Sequence, residues 1–155
     1  MVHYFVGTHA ALGELAAIGF LWIFIELLNK TSKIKRIKII ALISVVLLFL
    51  SWISGGWYYV NIYSSNVKPI IKEGPQSWAH SVVTETKEHV FLFLPFLALL
   101  TFFMIWKYEK KIVNDKNIRF SLMLLCLFIF LLAMSMGLMG YLISTGARAA
   151  LEARI

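Results

Sequence analysis

The sequence predicts an all-α integral membrane protein: a four-helix up-and-down bundle that forms one domain over residues 1–155. Hydrophobic residues make up 60% of the chain and the mean hydropathy is +0.79, far above the usual range of a soluble domain. Four apolar stretches fill most of the chain, at residues 5–28, 37–63, 90–106 and 120–143. Each is long enough, or nearly so, to cross a hydrocarbon core of about 30 Å at about 1.5 Å per helical residue.

Helices are the expected spanning elements, because a lone strand cannot satisfy its backbone hydrogen bonds in lipid. The first helix is predicted over residues 5–28. We expect it to be retained rather than cleaved as a signal, since it has no basic n-region and carries Glu14 and Glu26. The second helix is predicted over residues 37–63, and its outer end is marked by the interfacial aromatic residues Trp57, Tyr58, Tyr59 and Tyr63.

The third helix is predicted over residues 76–106, longer than its apolar stretch. Pro75 suits the first turn of a helix, so this helix is expected to begin well outside the membrane. Pro95 within it predicts a kink, because proline removes one backbone hydrogen bond. The fourth helix is predicted over residues 119–144.

The distribution of basic residues predicts the orientation of the bundle. Ten of the fifteen basic residues lie in two segments, 29–38 and 107–119. Short loops rich in lysine and arginine stay in the cytoplasm, so both segments are predicted inside. Both termini and the 64–88 connection are then outside, which gives an N-out, C-out protein of the cytoplasmic (inner) membrane.

Several classes of function are disfavoured by the same pattern. The net charge of +7 is explained by topology and lipid contact, so no nucleic-acid partner is expected. The single cysteine, Cys126, lies mid-span and is expected to be inert packing. No phosphate loop, nucleophile elbow or paired cysteine motif is present. Whether the protein is an enzyme is left open by these patterns.

All four histidines fall at the outer end of the predicted bundle. His9 lies 21 residues before Lys30 and His89 lies 18 before Lys107, so their depths differ by only about 5 Å. His3 and His80 each lie 27 residues before those same two lysines. The first and third helices are diagonal in an up-and-down bundle, and side chains on diagonal helices can meet at the bundle axis.

The helices present two depth-matched pairs of candidate ligands, His9 with His89 and His3 with His80. Such a pair of imidazoles predicts a b-type haem near the outer face, with both axial positions filled by histidine. Such a site transfers electrons, because no position is left for a substrate. Close approach of a flat macrocycle needs small residues, for which Gly56, Gly137 and Gly140 are candidates, and Arg148 is the candidate cation for the propionates. The arrangement resembles membrane b-type cytochromes in architecture alone, since alternate parallel helices carry the histidines.

Two other interpretations remain open. His9, His89, Glu14 and Glu85 could instead hold non-haem iron, copper, manganese or zinc, for metal transport or oxidation. The chain could also be a cofactor-free structural or assembly subunit. Under the haem hypothesis the expected partners are the lipid bilayer, quinone and other redox subunits, with the chain forming part of an oligomer or complex.

Overall fold

A computed structural model describes residues 2–30 and 33–154, with side chains described from residue 4 onward. Five α-helices follow one another along the chain: α1 (Val2–Leu28), α2 (Ile34–Tyr58), α3 (Lys68–Glu73), α4 (Glu85–Lys107) and α5 (Lys116–Glu152). Two π-helical segments, Tyr59–Val67 and Ala79–Thr84, precede α3 and α4. No strand occurs among the described residues, so the predicted all-α class is confirmed.

Within the described residues, four continuous helical stretches are long and apolar enough to cross a membrane: Tyr4–Leu28, Ile34–Glu73, Ala79–Lys107 and Lys116–Glu152. The four-span prediction is therefore confirmed by length and composition. Their outward surfaces carry large apolar side chains, as expected for contact with lipid. Pro95 is buried within the continuous α4, and the kink there stays a prediction.

The four long helices enclose one apolar core. α1 packs along α2 and α5, and α4 packs along the same two helices. In α1 the buried side chains recur at helical spacing: Ala16, Phe20, Ile23 and Leu27. α1 and α2 approach closely where Gly19 meets Ser44, since a Cβ on Gly19 would lie 1.9 Å from the Ser44 Oγ. Small residues allow such contacts between membrane helices.

The second helical stretch runs ten residues beyond the predicted end at residue 63. Pro69 lies in the first turn of α3 and has no N–H to donate. The π-helical turns of Tyr59–Val67 connect α2 to this turn. The stretch ends at Gly74, which is extended (φ −85°, ψ 172°), as a residue before proline favours. The 64–88 connection is therefore largely helical rather than a loop.

α5 likewise continues past residue 144 to Glu152. Its added turns contain alanine, arginine and leucine, which favour helix without forming an apolar span. They pack against the 64–88 connection so closely that a Cβ on Gly74 would lie 2.3 Å from the Ala150 Cβ. A second apolar cluster of Tyr63, Ile71 and Ala79 forms there. The third helical stretch begins at Ala79, three residues after the predicted start.

Ion pairs join neighbouring helices at the end of the bundle away from Tyr63 and Ala79, where the basic segments lie. Glu26 is 8% exposed and pairs with Arg36, while the Trp22 indole donates to the same carboxylate at 3.0 Å. Lys38 donates to Glu109 at 2.6 Å and also covers the Trp106 ring. The pair therefore joins α1 to α2 through a carboxylate that is buried.

Candidate functional site

His9 lies on α1 and faces α2 and α4, in the half of the bundle away from the Glu26 ion pair. Its Nδ1 donates to the Ser51 carbonyl at 2.8 Å and lies 3.0 Å from the Ser51 Oγ. The Ser51 hydroxyl in turn donates to the His9 carbonyl at 2.9 Å. The ring also has an edge contact with Phe91, at 5.9 Å between centroids. Gly55 makes room for it, since a Cβ there would lie 2.6 Å from the imidazole.

Because a carbonyl oxygen only accepts, the hydrogen bond to Ser51 fixes the His9 proton on Nδ1. Nε2 then carries a lone pair, and no described residue donates a hydrogen bond to it. Metal-binding histidines in proteins commonly have this arrangement, with the second ring nitrogen tied to a backbone carbonyl. The His9 side chain is therefore oriented as a ligand would be.

α5 presents two of the predicted glycines to charged groups near this histidine. A Cβ on Gly137 would lie 3.9 Å from the Glu14 Oε1, and one on Gly140 would lie 3.1 Å from the Lys87 Nζ. Gly137 and Gly140 are one helical turn apart, so Glu14 of α1 and Lys87 of α4 approach the same part of α5. Around Gly56 there is open space within 4 Å.

His89 and Glu85 occupy a different face of α4. Both are exposed, and His89 Nδ1 donates to the Glu85 carbonyl at 2.7 Å, which leaves Nε2 with a lone pair. They border a shallow surface depression with Ser81 and Val90. Residues 89 and 91 are about 200° apart around a helix, and Phe91 is the one that meets His9. The structure therefore does not bring His9 and His89 face to face.

His80 is 1% exposed and lies in a polar seam between the extension of α2 and the start of α4. Three hydrogen bonds form a chain there. The Thr84 hydroxyl donates to the Ala79 carbonyl at 2.9 Å, so Thr84 must accept from the Tyr63 hydroxyl, 2.9 Å away. Tyr63 must then accept from His80 Nδ1, at 3.0 Å. The Ala79 carbonyl can only accept, and this fixes which group donates in each of the three hydrogen bonds.

This hydrogen-bond chain leaves the His80 Nε2 as a buried lone pair without a partner among the described residues. Oε1 of Glu88, two turns further along α4, is likewise buried and unpartnered. The Glu88 carboxylate faces the Tyr59 hydroxyl, and the Tyr59 ring stacks on Tyr63 at 5.3 Å. This end of the protein is therefore polar inside, although it is surrounded by apolar helices.

The other predicted site residues are spread more widely. Arg148 is exposed on the extension of α5, eight residues beyond Gly140. The side chain of His3 lies outside the described residues. In residues 2–30 and 33–154, no three side chains of His, Cys, Asp or Glu are grouped so that they could hold a metal ion. His9, His89, Glu14 and Glu85 thus do not form one cluster.

Sequence reasoning missed the residues that orient the histidines, chiefly Ser51, Tyr63 and Thr84. One signal was available: residues 59 and 63, and residues 80, 84 and 88, are spaced so that each set lies along one face of a helix. No pattern in the sequence pairs Ser51 with His9, because the contact depends on the register between α1 and α2.

The fold and these contacts define a class: a membrane protein of four long helices with polar and histidine side chains gathered toward one end. Comparisons of the chain with protein-family models, curated proteins and solved structures find no match.

Proposed function

We propose that this chain is an electron-transfer protein of the b-type cytochrome kind, with haem held near the outer face through His9. The observation that carries the proposal is the orientation of His9: its Nδ1 is fixed by Ser51 and its Nε2 lone pair is free. An imidazole placed in this way within a membrane is costly unless it has a role. Haem supplies one-electron transfer when bound, and the chain supplies the ligand and its orientation.

The small residues that such a group needs are supplied by glycines of α2 and α5. Gly55 leaves room for the imidazole, and Gly56, Gly137 and Gly140 present no side chains of their own. We propose His89 as the second axial ligand, because it matches His9 in depth and its Nε2 is also free. Since His89 lies on another face of α4, it would have to turn toward His9 when haem binds. His9 is thus the ligand on which the proposal depends.

The proposal includes an orientation and a location. We place both termini and the seam around His80 outside, and residues 29–38 and 107–119 in the cytoplasm, in an up-and-down bundle of the inner membrane. A haem near one face does not carry electrons across the bilayer alone. The chain would therefore act as a subunit of a redox complex, passing electrons between an outer partner and quinone or another subunit.

The visible spectrum of the purified protein tests the cofactor directly. A Soret band with resolved α and β bands in the reduced state supports low-spin haem. Bound iron, copper, manganese or zinc without a Soret band would replace the proposal with a non-haem metal site. A protein with neither would be a structural or assembly subunit, and the proposal would be rejected.

Substitution of the histidines then tests the ligands. His9→Ala should abolish the haem signal or make it high-spin, because it opens one axial position. His89→Ala should do the same if it is the second ligand, whereas His80→Ala should leave the spectrum low-spin. An unchanged spectrum in His9→Ala would overturn the proposed site. Loss in His80→Ala with retention in His89→Ala would move the second ligand to the outer seam.

A further inference from the structure

The seam around His80 contains two buried polar atoms to which no described residue donates a hydrogen bond. Nε2 of His80 and Oε1 of Glu88 are both buried without a partner in residues 2–30 and 33–154. His80 is 1% exposed, and Glu88 lies two turns further along the same face of the helical stretch Ala79–Lys107, with Thr84 between them. Buried polar atoms in folded proteins are nearly always paired, so these two indicate a bound molecule.

The hydrogen bonds of the seam determine what that molecule must offer. His80 Nδ1 donates to Tyr63, Tyr63 donates to Thr84, and Thr84 donates to the Ala79 carbonyl. The other tautomer of His80 would make Nδ1 an acceptor. The Tyr63 hydroxyl would then have one proton for two acceptors, Nδ1 and the Thr84 oxygen. Nε2 of His80 is therefore a fixed acceptor, and its partner must be a donor.

An uncharged hydroxyl group meets this requirement. A metal ion would need ligands besides the imidazole, and no three side chains of His, Cys, Asp or Glu are grouped for this purpose in the described part of the chain. A hydroxyl group has one proton to donate and takes little room between packed helices. In a membrane protein such a group comes from an internal water molecule or from a lipid-soluble hydroxyl compound such as a quinol.

We propose that the seam binds a hydroxyl group that donates to Nε2 of His80, with Oε1 of Glu88 as a second polar atom of the same site. Water and quinol are the two sources of this hydroxyl. The bound group completes the hydrogen-bond chain that begins at the Ala79 carbonyl. The inference uses no contact of His9, so it is tested separately from the proposed haem site.

NMR of the imidazole nitrogens in histidine-labelled protein tests the hydrogen bond. The signals are assigned by substituting the histidines one at a time. In protein purified free of quinone, His80 should have a protonated Nδ1 and an unprotonated Nε2. A signal of Nε2 displaced toward that of a hydrogen-bonded nitrogen, in this quinone-free sample, would identify water as the source. A protonated Nε2, or a free lone pair with and without quinol, would overturn the proposal.

Addition of a short-chain quinol separates the two sources. If the quinol supplies the hydroxyl, the Nε2 signal should move and saturate with quinol. The dimethyl ether of the same quinol has no proton to donate and should leave the signal in place. Equal effects of quinol and ether would exclude quinol as the source, and the quinone-free spectrum alone would then decide.

A pair of variants checks the position of a bound quinol. Its affinity, measured by equilibrium dialysis, should fall about tenfold in His80→Phe, because one hydrogen bond to the ligand is lost. Ser81→Ala is the matched control, since Ser81 is exposed and its hydroxyl donates to the Ser77 carbonyl. Equal affinities of the two variants would exclude quinol from the seam. If His80→Phe does not fold, the wild-type spectra with quinol and with ether still decide.

Discussion

The hydroxyl of Tyr63 and Nδ1 of His80 meet in a buried hydrogen bond of 3.0 Å, which joins the extension of α2 to the segment that leads into α4. Both residues lie in π-helical turns, which often occur at functional sites. The Tyr63 hydroxyl donates to Thr84, which in turn donates to the Ala79 carbonyl. Tyr63 can therefore only accept from His80, so the bond fixes the His80 proton on Nδ1. The Tyr63 hydroxyl thus links two helical stretches and leaves the lone pair of the His80 imidazole on Nε2.

Removal of the Tyr63 hydroxyl should destabilise this end of the bundle. Tyr63→Phe leaves His80 Nδ1 and the Thr84 hydroxyl without their shared partner, at a cost of about 1–3 kcal/mol for buried polar groups. Tyr58→Phe is the control, since no hydrogen bond of the Tyr58 hydroxyl occurs among the described residues. Reversible unfolding in mixed micelles measures the difference. Equal stability of the two variants would show that the Tyr63 hydroxyl contributes nothing.

A methyl group at Gly55 should disturb His9, whereas one at Gly56 should not. The Cβ of Gly55→Ala would lie 2.6 Å from the imidazole, while the space around Gly56 is open within 4 Å. We expect Gly55→Ala to reduce haem content or convert the spectrum to high-spin, and Gly56→Ala to resemble the wild type. Circular dichroism checks that both remain helical. Identical spectra for the two variants would mean that His9 is not the ligand.

Labelling of introduced cysteines should reveal the orientation. In a Cys126→Ala background, Ser65→Cys on the outer connection should react with an impermeant maleimide in intact cells. Asn114→Cys, in the loop before α5, should react only after the membrane is permeabilised. Both positions are exposed, so neither is shielded by the protein itself. The reverse pattern would invert the topology and place the histidine-rich end in the cytoplasm.

The Glu109 ion pair should make stability depend on pH. The hydrogen bond from Lys38, and then its charge, lower the pKa of Glu109 below the usual carboxyl range. A lowered folded-state pKa means that the pair stabilises the protein above the unfolded-state pKa of about 4.3. That contribution is lost as the pH falls through the folded-state pKa.

Unfolding of wild type and Glu109→Gln at a series of pH values measures this contribution. The two should differ most near neutral pH, converge in acid, and differ less at high salt because the carboxylate is solvent-exposed. Glu152→Gln, which removes an exposed carboxylate with no ion pair among the described residues, is the control. A difference between wild type and Glu109→Gln that persists below the folded-state pKa would contradict the ion-pair explanation.

Hydropathy was sufficient to predict the four spans, because the requirement for about 20 apolar residues per crossing leaves few alternatives. It placed the end of α5 too early, since residues 145–152 are polar enough to leave the membrane and yet favour helix. Hydropathy also missed the helical extension of α2. Proline is typical of loops, but here π-helical turns precede Pro69 and accommodate it within a helix.

The depth of a residue along its helix could be counted from the sequence, but the direction in which its side chain points around the helix could not. His9 and His89 match in depth, and only the packing shows that one faces α2 and the other an exposed surface. The apolar faces of α4 give little rotational information, because a membrane helix is apolar on nearly all sides. The partner of His9 is therefore apparent only once α1 and α2 are placed against each other.

The π-helical turns of Tyr59–Val67 make the end of the bundle that contains His80 sensitive to the length of the chain as well as to its residues. A deletion of one residue there could restore regular α-helical geometry, with no change in overall hydropathy. It would also rotate Lys68–Glu73 by about 100° relative to α2 and turn Ile71 away from Tyr63 and Ala79. Single-residue insertions and deletions in this segment should therefore be tolerated less well than most substitutions.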